Sequence, residues 1–198
     1  MTDWAALYRA NTDAVTVLTE GLSDEQLHTR VPATPEWTVR DVLAHLAGSP
    51  SDALSGRMDG APGPEWTARH VGERSERTPV ELVAEIRGVV DDVVATLEGN
   101  DRPALVWNLA VHHADLHEAL GLGIPPDHMW QPIADAMRPA LGANAAAFAG
   151  VCDYELFRAY FSRRSRAQTA AWGTGLDQAT LDDISIFGPR DDDQPVPD

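Results

Sequence analysis

The chain has 198 residues, 43% hydrophobic and 23% charged, enough to bury one substantial core but short for two full domains. Its 31 acidic residues face 15 basic ones, all arginine, and the formal net charge of -16 repels phosphate backbones and anionic lipid, which argues against nucleic acid or membrane as a partner. One cysteine, Cys152, excludes an internal disulfide framework and a thiolate zinc cluster, and no run approaches the roughly 18 apolar residues of a bilayer span.

The N-terminus has no basic segment followed by an apolar one, so the expectation is a soluble, cytoplasmic protein, monomer or homodimer, with a small-molecule partner. Trp4, Leu7, Tyr8, Val15 and Leu18 recur at helical spacing before Gly21 and predict a helix over residues 3–20. Ser23 and Gln26 form a capping box for one short turn. Pro32 and Pro35 bias the residues before them to extended geometry, so 31–37 reads as a loop anchored by Trp37. Thr38 caps a second helix, apolar at Val39, Val42, Leu43 and Leu46, with an expected end near Gly48.

Residues 49–77, rich in glycine and proline, read as a long connection with short helical pieces. Thr78-Pro79 opens a third helix toward Gly99, and a fourth runs from about Ala104 to Leu120. A fifth, alanine-rich, is expected from Ile133 to Phe148, and a short one from Tyr154 to Phe161. The pattern is all-α: a four-helix bundle with a long crossover over 1–150, a short α/irregular extension over 151–188 and a flexible acidic tail over 189–198.

No phosphate loop, dinucleotide fingerprint, nucleophile elbow or His-Glu-x-x-His pair is present. The chemistry is concentrated in histidine. Asn108 and His112 lie four apart on one helix face, and His113 and His117 form a second pair turned about 100° away. With His45 from the second helix, one of these pairs completes a three-ligand site of imidazole and amide type, suited to Zn, Ni or Fe(II). Two histidines four apart also serve simply as a polar helix face. Cys152, with no positive neighbour in sequence, reads as a buried or inert thiol. Trp37 and Trp66 flank the crossover as pocket wall or core anchor.

The segment Pro35-Glu36-Trp37-Thr38-Val39-Arg40-Asp41-Val42-Leu43-Ala44-His45-Leu46-Ala47-Gly48 resembles the second-helix signature of the mycothiol-dependent maleylpyruvate isomerase family of the DinB/YfiT-like superfamily. Ala110-Val111-His112-His113-Ala114-Asp115-Leu116 resembles its second motif, and Glu155-Leu156-Phe157-Arg158 with Arg163-Arg164-Ser165-Arg166-Ala167-Gln168 its C-terminal motif. The resemblance implies a DinB-like four-helix bundle holding a divalent metal through His45, Asn108 and His112, with His113 and His117 as alternates. Asn108 departs from the glutamate common at that position, and Trp107 from the histidine found before it in many members.

The implied chemistry is metal-dependent isomerisation or thiol transfer on a small electrophilic metabolite, with mycothiol as cosubstrate. Trp37, Arg158, Arg163, Arg164 and Arg166 are the implied substrate or thiol contacts, the arginines because guanidinium pairs bidentately with carboxylate. Asn108 keeps two further readings open: a metal-free small-molecule binding protein on the same bundle, and an acid-base enzyme of specialised metabolism using histidine alone.

Overall fold

In the computed structural model, which describes residues 2–197, several helices begin where a short polar side chain accepts from the first free backbone N–H groups. Asp3 caps α1 (Trp4–Glu20), Ser23 caps α2 (Asp24–Leu27) and Thr38 caps α3 (Val39–Ser55). In α4 (Pro64–Glu73) proline supplies the first turn, and Thr78 caps α5 (Pro79–Gly88). After α6 (Val90–Ala95), α7 (Ala104–Leu120) ends where Gly121 turns left-handed at φ 67°.

Among the described residues the chain is all-α apart from one small hairpin, β1 (Arg30–Val31) paired antiparallel with β2 (Thr34–Thr38). One compact unit reaches to Gly123, and within it α1 packs on α5 and α7 while α3 packs on the same two, closing a four-helix ring. Leu7 and Val15 of α1, Leu43 and Leu46 of α3, Ile86 of α5 and Leu109 of α7 are buried between them. The crossover is not slack. Helix α4 lies on α3, and Arg40 donates to the carbonyls of Arg74, Ser75 and Arg77 just past the end of α4. Arg74 in turn binds Glu85 of α5, which also accepts from Ser51 of α3. These bonds fix the position of α4, and with it the side chains that α4 brings to the site.

A second compact unit starts at Ile124. It holds a 3-10 turn at Asp127–Met129, α8 (Gln131–Met137), a 3-10 stretch Arg138–Phe148, α9 (Asp153–Tyr160), α10 (Arg166–Ala170) and α11 (Gln178–Asp182). Trp130, Tyr154, Phe157 and Phe161 form its aromatic core. Residues 190–194 bond back to α10, Arg166 N–H donating to Arg190 O and the Ser165 hydroxyl to Asp193.

Four local expectations are corrected. Residues 31–37 form the hairpin, because a two-stranded ribbon accepts Pro32 in its turn and Pro35 on an edge with no missing partner. Helix α3 passes Gly48 and runs on to Ser55 through Pro50, which has no N–H to return to Leu46 O. The third predicted helix breaks at Val89 (φ -106°, ψ 2°), just after Gly88. The alanine-rich helix stops at Met137, since Pro139 has no N–H to return and Gly142 (φ 52°, ψ -128°) leaves helical geometry.

Candidate functional site

Three helices and the hairpin converge on His45, which lies seven residues past the Thr38 cap of α3. From α7, Asn108 and His112 face it one turn apart, and His45 Nε2 is 3.1 Å from Asn108 Oδ1. The imidazoles of His45 and His112 stand 4.9 Å apart, centre to centre, at 71°. Trp37, delivered by β2 immediately before the helix cap, lies 5.1 Å from the His45 ring and 6.1 Å from His112. The hairpin therefore serves as the arm that sets this indole against both histidines.

Each imidazole has a polar atom close to its other nitrogen. Asp115, buried one turn along α7, places Oδ2 2.9 Å from His112 Nδ1. His45 Nδ1 lies 3.1 Å from Nδ1 of His70, a wholly buried residue of α4. His70 Nε2 is 3.0 Å from Asp52 Oδ2, and the same oxygen accepts from Arg69, with Arg57 Nε 3.6 Å from Oδ1. Trp66 stands edge-on to His70 at 4.1 Å and donates its indole N–H to Arg57 O.

Burial acts to raise the Asp52 pKa, but the hydrogen bonds from Arg69 and His70 outweigh it and hold the carboxyl below its ordinary value. Burial pushes His70 below its ordinary value, against the pull of Asp52, so the ring is neutral at pH 7. The result is a line of polar groups, Asp52, His70, His45 and Asn108, running through the interface of α3, α4 and α7.

Of the residues expected from sequence, His45, Asn108, His112 and Trp37 come together. His113 and His117 face elsewhere: His113 Nδ1 is 2.9 Å from Asn11 Oδ1 of α1, and His117 Nδ1 is 3.2 Å from Gly123 O. Burial, with a smaller contribution from His117, pushes His113 down to about 4.

The arginines belong to the second unit. Arg164 holds both oxygens of Glu155, Arg166 binds Asp182 and Asp191, and Arg163 donates to Phe161 O. Arg158, fully buried, places its guanidinium 6.0 Å from the centre of the Tyr154 ring. Cys152 is exposed at the start of α9, so of the buried or inert thiol expected the buried form is excluded.

His70, Asp52 and the core position of Trp66 do not stand out in the sequence. The available signal is His45, Gly48 and Asp52 at offsets of three and four, a polar stripe interrupted by a bare backbone. Among the described residues no three His, Cys, Asp or Glu side chains gather in a ligating cluster; the group facing His45 Nε2 is the Asn108 side-chain oxygen, 3.1 Å away.

A family model described as mycothiol maleylpyruvate isomerase N-terminal domain matches residues 8–124, a span that contains every residue of this convergence. No curated protein and no solved structure matches the chain.

Proposed function

The chain belongs to the mycothiol maleylpyruvate isomerase N-terminal domain family through residues 8–124, and on that premise we propose that it is a thiol-dependent transferase or isomerase of a small electrophilic metabolite, with a divalent metal held by His45, Asn108 and His112. The observation that carries this reading is the 3.1 Å approach of His45 Nε2 to Asn108 Oδ1 beside the His112 ring. With Nδ1 of His45 facing His70 and Nδ1 of His112 facing Asp115, Nε2 is the ligating nitrogen of each ring. The two imidazole nitrogens suit zinc, and the amide oxygen would serve as a weaker, neutral third ligand. Such a metal would lower the pKa of a bound thiol, so that it reacts as thiolate near neutral pH.

The chain's own residues fix what that thiol meets. Asn108 is neutral, so the site is one unit more positive than with glutamate in its place, which favours anionic ligands such as a thiolate or a carboxylate. Trp37 walls one side with an apolar face that limits water and suits a planar conjugated substrate. The lone cysteine is Cys152, outside the matched span, so the reacting thiol arrives as a cosubstrate.

Elemental analysis of untagged protein and calorimetric titration with mycothiol test the proposal. Stoichiometric zinc and saturable thiol binding are expected; absence of both overturns it. A second reading has its own observation, since rotating the Asn108 amide lets its NH2 donate to His45 Nε2 with no ion present. In that metal-free binding protein, His45→Ala and His112→Ala leave ligand affinity nearly unchanged.

A further inference from the structure

We propose that His70 is a positioning residue which holds the proton of His45 on Nδ1 and so directs the Nε2 lone pair of His45 toward Asn108 and His112. The inference begins at Asp52, whose ionised carboxylate can only accept. His70 must therefore donate from Nε2 across the 3.0 Å contact with Oδ2. A neutral imidazole carries one N–H, so His70 Nδ1 is left with a lone pair. The facing atom 3.1 Å away is His45 Nδ1, and two lone pairs cannot share that contact. His45 must supply the hydrogen, so its own Nε2 is unprotonated, and with no ion present the Asn108 amide turns its NH2 rather than its oxygen toward that lone pair across the 3.1 Å contact. One carboxylate fixes the proton order of two rings in series.

The surroundings are shaped to keep this order. His45, Gly48 and Asp52 stand at offsets of three and four along α3, on one face of the helix. His70 crosses that face at Gly48, where a Cβ would meet His70 Cγ at 2.5 Å and its Cβ and Cδ2 at 2.7 Å. Any residue other than glycine at 48 displaces the ring that links Asp52 to His45. Trp66 closes over His70 from α4 itself. An apolar side chain could fill the same volume, but it would remove the ring nitrogen that faces His45 Nδ1 at 3.1 Å. Fixing the second nitrogen of a ligating imidazole also fixes its ring plane and raises its basicity.

The inference rests on the metal-site reading for its purpose but not for its test. Long-range proton–nitrogen NMR of the metal-free, full-length protein at neutral pH reads the two ring nitrogens of His45 directly. Wild type is expected with Nδ1 protonated and Nε2 unprotonated; a proton on Nε2 overturns the inference without recourse to any variant. In His70→Phe, His45 is expected to move toward the Nε2–H form, while His70→Gln, whose amide oxygen can accept from Nδ1, is expected to restore the wild-type form.

Zinc titration of the same three proteins should give an affinity lower by about 10 to 100-fold in His70→Phe and substantially recovered in His70→Gln. An unchanged His45 signal in His70→Phe overturns the positioning role whatever the zinc result. Should the nitrogen signals move as expected while wild type takes up no zinc, the metal-site reading fails and the proton order stands.

Discussion

His112 and His113 are adjacent on α7 and stand in opposite chemical settings. His112 has a carboxylate 2.9 Å behind Nδ1 and turns its ring toward His45, whose own support ends at another carboxylate, Asp52. His113 leans on the Asn11 amide, and its neighbour four residues on, His117, leans on the Gly123 carbonyl. Both faces share the four-residue spacing that suggests a ligand pair. What separates them is the group behind the ring: an anion there would support an imidazole that gives its lone pair to a cation, as the proposed metal site requires, whereas a neutral acceptor merely satisfies a buried N–H. Spacing alone does not tell the two faces apart; the groups packed behind each ring do.

The largest expected effect tests that contrast directly. His45→Ala and His112→Ala should each weaken zinc binding by more than about 100-fold, beyond the loss typical of a supporting residue. His117→Ala should leave affinity nearly unchanged by the same calorimetry. Equal losses on both faces would erase the distinction between them.

The other face has its own signature, in stability. The His113 pKa is about 4 in the fold and ordinary, near 6.5, in the unfolded chain, so between those values the unfolded state binds more protons. Stability is therefore full above about pH 6.5 and falls as pH drops toward 4, by on the order of 3 kcal/mol for this residue alone. Urea unfolding at pH 7 and pH 5 measures the slope, and His113→Gln should flatten it. A slope unchanged in that variant would mean that the neutral face does not carry the burial cost assigned to it.

The fold was legible where one helix face alternates cleanly with polar residues and ends at a cap. The bounds of α7, from Ala104 to Leu120, follow from Pro103 before it and Gly121 after it. That His45, Asn108 and His112 would meet was legible through the resemblance, since helical spacing alone offered His113 and His117 equally. His70 was not: it sits in a glycine- and proline-rich connection whose helix, α4, has few apolar residues, and the segment just past that helix is held by Arg40 bonding to its carbonyls.

Gly48 misleads for the same reason. A glycine late in an apolar helix suggests a stop, and only the partner ring reveals that the helix continues and the missing side chain is the feature. Relations of this kind lie between segments, and one sequence carries no record of them.

Glycine also gives the finest test of the contrast between a face shaped for the site and one that only packs. Gly48→Ala puts a methyl group within 2.5 Å of His70 Cγ, and neither the buried ring nor the helix backbone is a flexible chain end that could swing away. Overpacking of this kind costs about 1 to 3 kcal/mol. Gly72, in the last turn of α4, is also in a helix, and a Cβ added there would meet nothing within 4 Å. At that position alanine only removes freedom from the unfolded chain, and Gly72→Ala should stabilise by about 0.5 to 1 kcal/mol. Chemical denaturation of the two variants beside wild type gives the comparison, with opposite signs expected. If Gly48→Ala were as benign as Gly72→Ala, α4 would be free to shift away from α3, and the contact between His70 and His45 would be too loose to order a proton.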